Sequence, residues 1–290
     1  MTNANAPDLG PLTWVKGEID AALARADEGL QDAGSGTSAL QFAQTHLHQV
    51  RGALSIVGLD GLTQFADTLE QLLGDMIRGE QPADPAHRAL ARRALAVIGN
   101  YLEEIAHGAP DQALRLAPHY LALGAARGLS DAGPVDLFHP DLSRRPSLRT
   151  PARTPTEDLA TSLRAARSRF ERGLLEWLRK GPASDGARAM REAMAEVEAL
   201  QRATPTHTLW WVSLGFFDTL IHDDSTPDPA LKRLCAQVDA QFRRLLAGTP
   251  SAPDRLVREL LYRIATSPTH TPQQAEVKAC WQLDGLIPEP

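Results

Sequence analysis

The chain has little of several things that would direct it to a familiar chemistry. Its 290 residues include two cysteines, Cys235 and Cys280, too few for a disulfide framework or a cysteine-rich zinc site, and this usage fits a reducing compartment. Aromatic residues make up 5% of it, and no run rich in Val, Ile and Thr alternates with period two, so strands are not expected. The longest near-continuous apolar run, Leu209 to Phe217, is too short to span a bilayer. Met1 to Gly10 has neither a basic n-region nor an apolar h-region, so the expectation is a cytoplasmic chain with no membrane insertion. A balance of 30 basic against 36 acidic residues, net -6, gives no electrostatic reason to expect a nucleic-acid partner. There is no G-x-x-x-x-G-K-[ST] loop, no G-x-G-x-x-G after a strand, no G-x-S-x-G and no H-E-x-x-H. Neither a cofactor nor a metal is therefore expected, and the chain is not expected to act as a kinase by itself.

What is there is helical periodicity and enough apolar mass, 43% of residues, to bury a core in each of two domains. The spacing predicts helices over about Pro11 to Gln31, Ser38 to Val57, Asp60 to Ile77 and Pro85 to Gly108, with Asp60 and Asp84 as N-caps, and a shorter fifth over Asp111 to Gly124. Four amphipathic helices with short connections are the sequence form of an up-down four-helix bundle, placed at residues 10–128. From 129 to 156 the composition turns to proline and arginine, with Arg144, Arg145, Arg149 and Arg153, and reads as a linker; Val135, Leu137 and Phe138 could nonetheless pack back on a bundle. Helical spacing resumes over Glu157 to Lys180, Ser184 to Arg202, Thr208 to Ile221, Asp228 to Ala247, Ser251 to Thr266 and Thr271 to Asp284, a second helical domain at residues 157–287. The fold class expected is all-α, two helical-bundle domains.

The stretch His46 to Gly58 carries the one candidate chemistry. At 100° per residue Leu40, Ala43, Leu47, Val50, Leu54 and Val57 share a stripe, while Gln41, Thr45, His48, Gly52 and Ser55 fall opposite. His48 should face water, as a histidine offered to a phosphoryl group must. Gly52, one turn on, would keep bulk away from an incoming protein at a cost of about 1 kcal/mol to the helix, and Arg51 puts a cation on the same face. An ordinary solvated histidine would show the same letters. His46, about 200° around, reads as half-buried with a local hydrogen bond. His107 reads as a helix-end residue. His222-Asp223-Asp224 reads as a helix end and a turn capped through Asp224-Ser225, not as a metal site. The apolar Leu209 to Phe217 segment reads as core, with an interaction surface as the alternative, and the linker arginines read as solvated.

His48-Gln49-Val50-Arg51-Gly52 within a four-helix bundle resembles the histidine phosphotransfer (Hpt) family, whose pattern is a histidine followed by lysine at +3 and glycine at +4; here arginine replaces the lysine. Segments over both domains resemble a wider group, the N-terminal region of Chp-type chemotaxis kinases of twitching motility (ChpA/PilL) and the related FimL scaffold family. They are Pro11 to Ile19, Leu47 to Leu54, Val57 to Leu59, Leu209 to Val212, Ala230 to Leu234 and Leu260 to Tyr262. The resemblance implies a signalling module of a two-component phosphorelay governing type IV pili, near a cell pole. It implies as partners a response-regulator receiver domain and a histidine kinase or other chemotaxis-type signalling proteins. Two readings stay open: a live carrier using His48, with Arg51 balancing the added charge and Gly52 admitting the partner, or a degenerate scaffold of the same shape. An adaptor unrelated to phosphorelay is the alternative to both.

Overall fold

The computed structural model describes residues 9–31, 36–147, 151–152, 158–223 and 227–289. Among them every regular element is helical: α1 (Leu9–Gln31), α2 (Gly36–Val57), α3 (Asp60–Arg78), α4 (Pro85–Ala106), α5 (Ala117–Ala126), α6 (Leu159–Lys180), α7 (Gly186–Gln201), α8 (His207–Ile221), α9 (Pro229–Leu246), α10 (Asp254–Thr266) and α11 (Pro272–Trp281). Short 3-10 turns lie at Ala113–Leu116, Pro134–Leu137 and Leu283–Leu286. The protein is all-α. No helix among the described residues is long and apolar enough to cross a membrane.

The chain divides into two compact units, one running up to His139 and including residues 285–289, the other from Pro140 to Asp284. In the first, α1 packs on α2 and α4, and α3 on α2 and α4, a closed ring of four helices with α5 laid on α3. The stripe read from sequence is its core: Leu40, Ala43, Leu47, Val50 and Leu54 of α2 are buried with Leu62, Phe65, Leu69, Leu72 and Leu73 of α3. Two glycines set how α2 meets its neighbours, Gly58 at the turn into α3 and Gly29 at the contact with α1. Gly58 takes φ 81°, a left-handed conformation open to glycine without penalty, and reverses the chain within two residues. Gly29 of α1 leaves no room for a side chain, since a Cβ there would stand 2.8 Å from the carbonyl oxygen of Ala39.

Some local expectations need correction. Asp60 is not the cap of α3: the cap is Leu59, whose carbonyl accepts from Thr63 N at 2.8 Å and whose side chain is buried. The tight turn starts the helix one residue earlier, which places Asp60 in the first turn, where its charge suits the helix dipole. Asp84 does cap α4, accepting from His87 N at 2.9 Å. The single fifth helix is instead a 3-10 turn followed by α5, because Pro118 supplies no amide hydrogen and is tolerated only in a first turn. Leu137 and Phe138 are buried at 2% and 1% exposure, so this part of the proline-rich stretch packs rather than hangs free. Arg149, and Arg153 with the rest of 153–157, lie outside the described residues.

In the second unit α8 lies at the centre, against α7, α10 and α11. Phe170, Phe217, Phe242 and Trp210 stack ring to ring at 5.2 to 5.4 Å around it. Both faces of Leu209 to Phe217 are thus occupied by this unit's own helices, and the interaction-surface alternative for that segment is set aside. The crossing of α6 and α7 depends on Gly173 and Gly186, where a Cβ on Gly186 would stand 2.6 Å from the backbone nitrogen of Trp177.

Candidate functional site

The turn at Gly58–Leu59 folds α3 back along α2, so that residues equally far from Leu59 face each other. His48 stands eleven residues before it and Glu70 eleven after; Arg51 and Asp67 are each eight away. These four side chains meet. His48 Nδ1 lies 2.9 Å from Glu70 Oε1 and 3.1 Å from Arg51 Nη2. Arg51 Nη1 donates to Asp67 Oδ1 at 2.7 Å, and Gln71 Nε2 donates to the other oxygen of Asp67. Arg51 Nε approaches Glu70 Oε2 at 2.9 Å, an ion pair out of line for a hydrogen bond, so that buried oxygen has no aligned donor. Gln44 Nε2 reaches the backbone carbonyl of Glu70 from α2 at 3.4 Å.

Exposure follows a gradient. The His48 side chain is 62% exposed, Arg51 33%, Asp67 26% and Glu70 15%. Nδ1 therefore faces the inter-helix cluster, and no described residue bonds Nε2. A neutral imidazole carries one N–H and one lone pair. When Nδ1–H donates to Glu70, the lone pair is on Nε2, the nitrogen turned to solvent, and can act as a nucleophile.

Beyond that cluster, α2 itself carries little charge. Of the 22 residues of α2 Arg51 alone is a formal cation, and none is acidic. Gln41, Thr45, Gly52 and Ser55 are exposed, and Ile56 is 82% exposed beside them. A Cβ added at Gly52 would meet nothing within 4 Å, the imidazole included. Packing gives no reason for that glycine; what it leaves clear is the approach to the face, not space for the ring itself.

The other singled-out residues do not join this site. His46 is half-buried, 3.2 Å from Gln49 Oε1 and edge-on to Phe42. His107 caps α4 and donates to the carbonyl of Glu103 at 2.8 Å. His222 ends α8, donates to the carbonyl of Asp218 at 2.9 Å and stacks on His270 at 4.5 Å; Asp224 and Ser225 lie outside the described residues. Arg144 is not merely solvated, since it donates to the Cys280 carbonyl and to Gln282 at 3.2 and 3.1 Å. No group of three potential metal ligands occurs among the described residues.

Comparison with known proteins agrees with this architecture. Residues 12–108 match the Hpt domain model, and residues 155–290 match the model of the FimL scaffold protein second domain. Scaffold protein FimL of Pseudomonas aeruginosa is 27% identical over 286 residues, 96% of this chain and 50% of the relative. The chain thus spans about half the length of the curated relative it matches. No solved structure gives a significant match. The chain is an all-α protein whose two units are similar, in order, to an Hpt domain and to the second domain of FimL scaffold proteins.

Proposed function

We propose that the first unit is a phosphotransfer module and that His48 Nε2 is its phosphoacceptor. The observation that carries this reading is the orientation of the imidazole, with Nδ1 against a half-hidden carboxylate and Nε2 in solvent. In the proposed step the Nε2 lone pair attacks the phosphorus of a donor and the bond from phosphorus to the donor's oxygen breaks. The proton stays on Nδ1, hydrogen-bonded to Glu70, and the cation that forms on the ring is held beside that carboxylate. Arg51 lies one turn from His48 and offsets part of the added negative charge. The donor and the next acceptor are domains of other proteins, a histidine kinase and a receiver domain, because this chain offers no recognisable nucleotide-binding loop. They meet the outer face of α2, where Arg51 is the one formal charge of the helix, with Gly52 clearing the approach and Ile56 giving an apolar contact. For the chain as a whole we propose a place in a chemotaxis-type phosphorelay acting on type IV pili and twitching motility, in the cytoplasm near a pole.

One observation favours a second reading: the relative that matches along nearly the whole chain is named a scaffold protein. On that reading the unit keeps the face and binds partners without accepting phosphate. Incubating the purified chain with a phosphodonor or kinase and detecting acid-labile phosphate separates the two. Label on the wild type and none on His48→Gln supports the carrier; no label, with the same α2 face still binding partner, supports the scaffold. Label that persists in His48→Gln moves the acceptor elsewhere, with His46 first to test.

A further inference from the structure

We propose that Asp67 is a positioning residue for His48: by holding one arm of Arg51, it leaves Glu70 Oε1 to the imidazole and keeps the ring proton on Nδ1. Its functional consequence rests on the phosphoacceptor reading above; the geometry on which it is built does not. Two groups compete at His48 Nδ1. Glu70 Oε1, at 2.9 Å, can only accept, so it favours the form with hydrogen on Nδ1. Arg51 Nη2, at 3.1 Å, can only donate, so it favours a bare Nδ1 and a hydrogen on Nε2, the form that has no outward lone pair. Where the guanidinium settles therefore decides the reactivity of the ring.

Three contacts show what holds it. Nη1 is tied to Asp67 Oδ1 at 2.7 Å, and Gln71 fixes the far oxygen of Asp67. Nε is left 2.9 Å from Glu70 Oε2 but misaligned, and that oxygen is buried without an aligned donor. A buried carboxylate oxygen in that condition attracts a donor strongly, and a guanidinium prefers to meet a carboxylate with two parallel bonds. Without Asp67, Arg51 would turn onto Glu70 as a bidentate partner and take Oε1 from the ring. Asp67 thus acts on His48 only through Arg51.

The test is the tautomer of His48, read from long-range proton–nitrogen correlations of the 15N-labelled imidazole in the full chain, at a pH where the ring is neutral. The wild type is expected to hold mainly Nδ1–H. Asp67→Ala should lower the ratio of Nδ1–H to Nε2–H by about threefold or more, the size of one modest hydrogen bond. Arg51→Met, which keeps the stem and removes every donor, should hold the ratio at or above the wild-type value. The double variant should return to the Arg51→Met value. A wild-type ratio in Asp67→Ala, with a folded amide spectrum, would overturn the proposal, and so would a double variant that stays as low as Asp67→Ala. If Asp67→Ala fails to fold, Asp67→Leu, which keeps the bulk and has no acceptor for Arg51, is read instead, with the same direction expected and the same refutation. Phosphate uptake measured on the same samples separates this inference from the one beneath it. Ratios as expected with no uptake by any protein refute the phosphoacceptor reading alone; uptake by the wild type with ratios insensitive to Asp67 refutes the positioning role alone.

Discussion

Replacing Gly52 with alanine should make the protein more stable. Alanine is favoured over glycine by about 1 kcal/mol inside a helix, because glycine loses more backbone freedom on folding. That gain is usually reduced by what the new methyl group meets, and at Gly52 it meets nothing within 4 Å. The whole of it should appear, about 1 kcal/mol, or roughly 4 °C in the unfolding midpoint of a unit of this size. Gly29→Ala makes the control, with the same propensity gain and the opposite surroundings. Its methyl carbon would stand 2.8 Å from Ala39 O and 3.2 Å from Ala43 N, backbone atoms that move only if α1 and α2 separate. An overpacking cost of about 1–3 kcal/mol then exceeds the gain, and the variant is destabilised. Urea unfolding followed by hydrogen exchange of peptides from α2 to α4 reports on this unit apart from the other. A neutral or destabilised Gly52→Ala would mean that something does cover that side of α2, and would refute the argument that the glycine serves an approaching partner. The same variant is expected to slow phosphoryl transfer between proteins.

Other expectations are as specific. Ile56→Lys replaces an apolar contact of the α2 face by a charge at a site 82% exposed, so it should change stability by no more than about 0.5 kcal/mol while weakening partner binding in a titration. Equal binding by wild type and variant would remove Ile56 from the docking face. In the second unit, burial opposes the charge on Glu198, but hydrogen bonds from His207 and Arg202 outweigh it and hold the carboxyl below its ordinary value. A lowered folded value means that the stabilisation is present above the unfolded value, about pH 4.3, and is lost as pH falls through the folded one. Glu198→Gln should therefore cost about 3 kcal/mol at neutral pH, and the difference from wild type should shrink towards pH 3 in equilibrium denaturation; a difference independent of pH would show that the charge is not what matters.

Much of this was legible in the sequence, for identifiable reasons. Leu47, Val50 and Leu54 recur at helical spacing and are buried, so the face carrying His48 followed from the face opposite it. Asp84-Pro85 announced a helix start through the cap and a fixed proline angle, and it forms one. Asp60-Gly61 offered the same cap signal and did not, because the left-handed Gly58 commits the chain before Asp60 is reached. Glu70 and Asp67 were not singled out, since on α3 alone they are two more polar residues on a polar face. A signal was available nonetheless: with the turn fixed at Gly58–Leu59, counting eleven and eight residues outward pairs His48 with Glu70 and Arg51 with Asp67. Periodicity describes one helix at a time, whereas this site needs the register between two. Arg144 shows the same limit, its partners Cys280 and Gln282 lying far along the chain.

Whether the outward nitrogen of His48 accepts a phosphoryl group is measured directly as acid-labile phosphate on the purified chain after incubation with a kinase or phosphorylated receiver domain active on a known carrier. Label is expected on the wild type, carried on Nε2 of His48 and absent from His48→Gln. An unlabelled wild type alongside a labelled control carrier would contradict the phosphoacceptor reading.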